Sequence, residues 1–231
     1  MGSQPLEPLG PEFITTREAL HRVAEQLIAP ARKPDNEIAL KATPGGFGTP
    51  VFEFRGNQCQ VRVQGAELVA RRGEGEKRAP ITTLAAGAEL IGHDLFTGGP
   101  PADTELLRVD AHSAEQLGGW FGLGGAVLGE LRAGWGADDP SQVNLWPEHF
   151  DIAIEAGSEG AGARANYGFS PGDAEHHEPY VYVGPWNEVS GELWNAKGFN
   201  GAELSYSELA PSPDPRMVAL EFCRARKDTL I

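Results

Sequence analysis

The stretch that decides the fold is SAEQLGGWFGLGGAVLGELRA, Ser113–Ala133, near the middle of the chain. Its apolar residues recur at helical spacing, and Ser113 with Gln116 matches the capping box that opens a helix. Each glycine inside a helix costs up to about 1 kcal/mol relative to alanine, and this stretch contains six. The sequence therefore predicts a central helix against which another backbone packs closely.

Strand patterns flank this helix on both sides. The predicted strands are Val51–Phe54, Cys59–Val63, Glu67–Arg71, Asp151–Glu155, Ala163–Phe169, Tyr180–Val183 and Glu192–Ala196. A helix opened by Thr15 and Glu18 precedes them, and a helix from Asp214-Pro215 follows them. We predict an α+β fold of two strand-rich, mostly antiparallel halves packed with the Gly-rich helix and the terminal helices in a single domain, 14–231. Residues 1–13 are predicted to be a disordered leader or tag remnant.

Charge and composition exclude several classes of partner. Thirty-three acidic and nineteen basic residues give a net charge of −14, which repels nucleic-acid phosphates and anionic membrane surfaces. No apolar run approaches the roughly twenty residues of a membrane span. Two distant cysteines and an N-terminus without a secretory pattern favour a reducing compartment. We therefore expect a soluble cytoplasmic protein with neither a nucleic-acid nor a membrane partner.

Several familiar catalytic and cofactor motifs are absent from the sequence. It contains neither a P-loop nor a strand-linked G-x-G-x-x-G, so no nucleotide cofactor is expected. It also lacks a G-x-S-x-G elbow and an H-E-x-x-H helix. Any site must therefore be sought in less common arrangements of residues.

The first candidate site is the segment WPEHFD, Trp146–Asp151. In an extended chain His149 and Asp151 point to the same side, and a carboxylate beside an imidazole raises its basicity. This pattern predicts catalytic roles for His149 as general base, Asp151 as its orienting partner and Glu148 beside them. The alternative is that His149 only makes hydrogen bonds at a polar strand entry.

The second candidate is the loop Ser170–Pro179, which contains two adjacent histidines among carboxylates. Imidazole and carboxylate groups are ligand types that zinc or manganese accepts. A divalent metal is expected only if groups from neighbouring strands converge. The predicted ligands are His149, Asp151, His176 and His177. The alternative is a solvated acidic loop between two strands.

The third candidate is the aromatic segment Tyr180–Trp186. Tyr180 and Tyr182 share one face of a strand, and amphipathic rings suit a small organic ligand. The same alternation is equally typical of core packing. The predicted ligand-binding residues are Trp146, Asn166, Tyr167, Tyr180, Tyr182 and Trp186.

Four long motifs in the second half carry a resemblance to a known family. They are LWPEHFDIAI (Leu145–Ile154), YGFSPGD (Tyr167–Asp173), EPYVYVGPW (Glu178–Trp186) and LWNAKGF (Leu193–Phe199). The chain resembles a family of uncharacterised actinobacterial proteins, and it is loosely similar to DUF5996, a domain of unknown function. The resemblance implies an actinobacterial cytosolic protein with one domain. It carries over no catalytic residue, since no activity is assigned to the family.

Two functional hypotheses from different classes follow. The first is a pocket between the two halves that binds a small polar ligand, with hydrolytic or isomerising turnover if His149 acts as a base. The rival is a non-catalytic protein–protein interaction module with an acidic surface. A concave site lined by rings and histidines favours the first, and a flat apolar patch favours the second.

Overall fold

The computed structural model describes residues 5–32, 37–135 and 140–230. These residues form two compact units. Within the described ranges, the first unit comprises 9–32, 37–122 and 145–150, and the second comprises 5–8, 123–135, 140–144 and 151–230. Each unit is built on an antiparallel sheet with flanking helices. The predicted α+β class with two strand-rich halves is confirmed, and its containment in one domain stays a prediction.

The first unit begins with a long helix. Helix α1, Phe13–Val23, continues through a π-helical segment, Ala24–Ile28, and a last turn, Ala29–Ala31. Phe13 is the first residue of this helix and is only 2% exposed, and the predicted division between leader and domain at residue 13 stays a prediction. Residues 1–4 of that leader lie outside the described residues.

The sheet of the first unit is a meander with a short extra strand. Its strands are β1 Lys41–Thr43, β2 Gly46–Gly48, β3 Phe52–Phe54, β4 Asn57–Gln64, β5 Glu67–Arg72 and β6 Gly75–Pro80. They are ordered β1-β2-β4-β5-β6, and β3 pairs with β4. Strand β6 was not predicted, because charged side chains on an exposed edge leave no apolar alternation. Pro80 ends this strand, and helix α2, Leu84–Ile91, begins after the cap Thr83.

Aromatic rings form part of the first unit's core. Phe47, Phe121 and Phe150 meet edge to face with centroids 5.2–6.0 Å apart. The His21 ring stacks on Phe150 at 5.0 Å, and its Nε2 lies 2.9 Å from the carbonyl oxygen of Pro147. Phe150 is thus a core residue of the first unit.

Helix α3, Ala111–Ala133, is the predicted Gly-rich helix. A Cβ at Gly118 would lie 2.7 Å from the backbone carbon of Gly45 within the first unit. A Cβ at Gly124 would lie 2.8 Å from Ile152 and 2.9 Å from Phe169 within the second. Close packing is therefore confirmed at these two positions. Neither this helix nor any other among the described residues is long and apolar enough to cross a membrane.

The second unit contains four paired strands and a C-terminal helix. Strands β8 Asp151–Ala156, β9 Ala165–Ser170, β10 Tyr180–Pro185 and β11 Ala202–Ser205 are ordered β11-β10-β9-β8. A short strand β7, Asn144–Trp146, precedes them, and helices α4 Tyr206–Leu209 and α5 Pro215–Lys227 follow. Asp214 caps α5 as predicted, by accepting a hydrogen bond from the Met217 N–H.

The predicted strand Glu192–Ala196 is not a strand in the structure. Its Asn195 side chain instead pairs with the backbone of Glu203, donating to the carbonyl and accepting from the N–H, both at 3.0 Å. A side-chain amide thus imitates one pair of ladder bonds. The apolar residues of the segment predicted a strand. Sequence periodicity cannot tell whether a segment pairs with a sheet edge through its backbone or through a side chain such as that of Asn195.

Candidate functional site on the second sheet

The sheet of the second unit has two chemically different faces. One face is apolar and buried, with Ile152, Ile154, Tyr167, Phe169, Val181 and Val183. Helix α3 packs on it, as the contacts of Gly124 show. The strand register places polar and aromatic side chains on the other face, because residues directly opposite each other on paired strands share a face. These are Ser170, Tyr180, Tyr182, Glu203 and Ser205 together with Asp151 at the start of β8.

The central contact of the polar face is a hydrogen bond from the Tyr182 hydroxyl to Oδ2 of Asp151. Asp151 is 7% exposed, so this carboxylate needs such donors to offset its desolvation. Burial raises the pKa of Tyr182 well above its usual value, and the neighbouring Asp151 raises it further. Tyr182 is therefore protonated at neutral pH, and its hydroxyl acts as a donor.

A glycine makes room for this contact. Gly168 lies directly opposite Tyr182 on β9. A Cβ at position 168 would lie 2.4 Å from Cζ of Tyr182 and 2.5 Å from its hydroxyl oxygen. The phenol ring therefore lies across the bare backbone of β9, and this lets the hydroxyl reach β8 two strands away.

Tyr180 continues the polar face beside Tyr182. Their ring centroids are 6.1 Å apart, and the Tyr180 hydroxyl shares a hydrogen bond with the side chain of Ser170. Burial raises the pKa of Tyr180 to about 12, and this bond opposes the shift. Both phenols are thus neutral at physiological pH.

His176 from the β9–β10 loop completes the arrangement. Its ring lies 4.5 Å from that of Tyr180. Nε2 is 3.2 Å from Glu203 Oε2, and Nδ1 is 3.4 Å from Asp173 Oδ1. Partial burial raises the pKa of Asp173, but hydrogen bonds from the backbone N–H groups of His176 and Glu175 lower it overall. An imidazole between two carboxylates is held in orientation and can exchange protons with a ligand.

These side chains are called the tyrosine cluster below. The cluster consists of Asp151, Ser170, His176, Tyr180, Tyr182 and Glu203. The sequence predicted Tyr180 and Tyr182 as ligand-binding residues, Asp151 as the partner of His149 and as a metal ligand, and His176 only as a metal ligand. Ser170 and Glu203 were not predicted as site residues. The position of Ser170 could have been predicted, because it lies two residues after Gly168 on the same strand and therefore shares its face.

The predicted catalytic pair of His149 and Asp151 stays a prediction, because the two residues belong to different units. His149 and Glu148 lie exposed in a turn rather than in an extended strand, and Phe150 after them has a positive φ of 54°. Alternation of side chains therefore does not apply between positions 149 and 151. Within the described residues His149 makes no hydrogen bond.

The predicted ligand-binding residues are dispersed. Trp146 belongs to the first unit, so the pocket predicted between the two halves stays a prediction. Tyr167 is fully buried on the opposite, helix-covered face of its sheet, and it cannot share a surface with Tyr182. Asn166 is exposed on the polar face, opposite Gly184. Trp186 is 52% exposed beyond the end of β10, with the Arg164 guanidinium 5.6 Å from its ring.

The predicted metal set is not assembled. Among the described residues, no group of three or more His, Cys, Asp or Glu side chains is placed to hold a metal ion. His177 is exposed, whereas His176 turns toward Tyr180. Adjacent side chains in an extended loop diverge, and this separates the two imidazoles.

Comparisons with known proteins give no indication of function, so any functional argument rests on the geometry of this site. No family model matches the chain, and no curated protein or solved structure matches it.

Proposed function

We propose that the tyrosine cluster binds a small polar molecule that is rich in hydrogen-bond donors or carries a positive charge. The single observation that carries this proposal is the continuous contact from Asp151 through Tyr182 and Tyr180 to His176 on one sheet face. Polar side chains that converge beside aromatic rings are typical of small-molecule sites. The opposite face of the same sheet already supplies the core.

The charge of the cluster determines which ligand it favours. The cluster contains the carboxylates of Asp151 and Glu203, and the carboxylate of Asp173 lies beside its His176. The two phenols are neutral at physiological pH because their pKa values are raised. An amine or polyol offers donors to these carboxylates, whereas an anionic ligand would be repelled. We therefore favour amines and polyols over carboxylates at this site.

Hydrolytic or isomerising turnover is the stronger form of the proposal. It requires one group that accepts a proton and one that donates. His176, held between Glu203 and Asp173, is the acceptor that the geometry favours in place of His149. The same imidazole, once it has accepted a proton, is the group that returns it, because the raised pKa of Tyr182 makes its phenol a poor acid.

Titration calorimetry on the full chain tests the binding step. The probes are putrescine, ethanolamine and glucose, with acetate as the charge-reversed comparison. We expect an amine or the polyol to bind, and we expect Tyr182→Phe and Glu203→Gln each to weaken it about tenfold or more, as for hydrogen bonds to charged groups. The matched control is Tyr206→Phe, since the Tyr206 hydroxyl donates to the Glu7 carbonyl outside the cluster. Equal losses in both Tyr→Phe variants, or tighter binding of acetate, contradict the proposal.

The rival function is a protein-interaction surface, and exposed tryptophans favour it. Trp186 is 52% exposed and Trp146 is 36% exposed, and tryptophan is enriched at interface hot spots. Light scattering with Trp186→Ala as the variant tests this alternative. A concentration-dependent rise in mass that the substitution abolishes favours the interaction module, and a mass independent of concentration argues against self-association through Trp186.

A further inference from the structure

A polar cleft in the first unit lies on the face of its sheet opposite the apolar core. It has a volume of about 440 Å³, within the range of small-molecule sites. Strand β4 alternates buried Cys59, Val61 and Val63 with residues that face the cleft. The cleft is lined by Thr43, Pro44, Gln60, Arg62, Gln64, Arg71 and Glu76.

Arg71 is the unusual group in this cleft. It lies opposite Gln60 on β4 and opposite Glu76 on β6. Among the described residues its guanidinium makes no ion pair or hydrogen bond, and its Nε is buried without a partner. Buried polar atoms are nearly always hydrogen-bonded in folded proteins. The chain has a net charge of −14, yet none of its described carboxylates pairs with this guanidinium. This indicates that an anion from outside the chain is the partner of Arg71.

A second orphaned donor faces the same space. The Thr43 hydroxyl is also buried without a hydrogen-bond partner among the described residues, and it reaches the cleft from strand β1. By contrast, the neighbouring Arg62 is paired with Glu76 at 3.3 Å, and Glu76 is shared with Arg78 at 2.8 Å. The acid in the lining is thus already engaged, and it does not neutralise Arg71.

We propose that this cleft binds a small organic monocarboxylate that carries hydroxyl groups. The planar guanidinium of Arg71 matches a carboxylate in two parallel hydrogen bonds. The Thr43 hydroxyl and the amides of Gln60 and Gln64 offer contacts to the hydroxyl groups. The lining contains two arginines and one glutamate, so its net charge is +1. A monoanion would neutralise this charge, whereas a dianion would leave a net negative charge. This site is distinct from the tyrosine cluster, and it favours ligands of the opposite charge.

Titration calorimetry on the full chain tests the proposal with three probes at matched ionic strength. The probes are gluconate, acetate and inorganic phosphate. We expect gluconate to bind more tightly than acetate or phosphate. We also expect Arg71→Gln to weaken binding of gluconate at least about tenfold, as for loss of a charge-assisted bidentate pair. Thr43→Val, which keeps the shape of the side chain, is expected to weaken it less.

The matched control is Arg72→Gln. Arg72 is the next residue on β5, faces the other side of the sheet and pairs with Asp94 at 3.0 Å, so the variant changes the net charge equally. We expect it to leave the affinity within about twofold, since screening reduces long-range charge effects. Equal weakening by Arg71→Gln and Arg72→Gln overturns the site, as does an absence of heat with gluconate. Tighter binding of phosphate overturns the assignment of a monocarboxylate. Circular dichroism of each variant verifies that it is folded.

Discussion

The Tyr182 hydroxyl on strand β10 donates a hydrogen bond to the Asp151 carboxylate on strand β8, across the intervening strand β9. Two inter-strand steps separate these residues in the hydrogen-bonding direction, at roughly 4.8 Å for each step. Only a long side chain lying flat over the middle strand can span this distance. The contact therefore joins three strands of the second sheet through one side chain.

We expect Tyr182→Phe to lower the free energy of unfolding by about 1–3 kcal/mol, because it removes a donor from a buried carboxylate. Urea denaturation followed by circular dichroism measures the change. The control Tyr206→Phe removes a hydroxyl whose acceptor is the Glu7 carbonyl, and it is expected to cost about 1 kcal/mol. A loss at Tyr182 no larger than that at Tyr206 would show that the Asp151 contact contributes little.

Gly168→Ala tests whether the bare backbone of β9 is needed. The new Cβ would lie 2.4–2.5 Å from the end of the Tyr182 ring, so the ring must move away from Asp151. We expect a loss of about 1–3 kcal/mol, as for overpacking, measured by urea denaturation. The control is Gly160→Ala, where a Cβ meets no described atom within 4 Å. If Gly168→Ala costs nothing, the ring has room to shift and the contact is not fixed by the glycine.

Much of the fold was predictable because it follows local periodicity. The alternation of β4, β8 and β10 and the Asp214-Pro215 helix start are local signals, and they are confirmed within a few residues. Strand β6 was missed because Gly75–Pro80 is charged along its length and its pairing with β5 is a tertiary effect. Glu192–Ala196 was misjudged because Asn195 meets the sheet edge through its side chain.

The candidate site was predictable only in part. Tyr180 and Tyr182 were placed on one face correctly, since strand alternation determines it. The extended chain expected at His149 is a turn in the structure, which ends at Phe150 with a positive φ, and a phenylalanine gives no sequence signal for such a turn. The pairing of His149 with Asp151 stays a prediction. Glu203 and Ser170 come from distant strands, so only the sheet register brings them to the cluster.

Neighbouring glycines of helix α3 offer a matched pair of substitutions. A Cβ at Gly118 would lie 2.7 Å from the backbone of Gly45, whereas a Cβ at Gly119 would meet no described atom within 4 Å. We expect Gly118→Ala to destabilise by about 1–3 kcal/mol through overpacking. Gly119→Ala is expected to stabilise by about 0.5–1 kcal/mol through helix propensity. Thermal and urea denaturation measure both, and shifts of the same sign would contradict the close packing at Gly118.

Stability is expected to fall at alkaline pH through the two tyrosines of the cluster. Burial raises the pKa of Tyr180 to about 12 and that of Tyr182 well above its usual value of 10.0. Above about pH 10 the unfolded chain therefore releases phenolic protons that the native state retains, and the free energy of unfolding decreases as pH rises. Each tyrosine contributes at most about 1.4 kcal/mol per pH unit in this window, and partly exposed Tyr180 contributes less.

Tyr180→Phe isolates one of these contributions. Urea denaturation between about pH 10 and pH 12 is expected to show a shallower pH dependence for this variant than for the unsubstituted chain, while the two curves run parallel near neutral pH. Near-ultraviolet absorbance of tyrosinate measures the ionisation directly, and native Tyr180 is expected to ionise near pH 12. Ionisation of all four tyrosines near pH 10 without unfolding would contradict the buried environment described for the cluster.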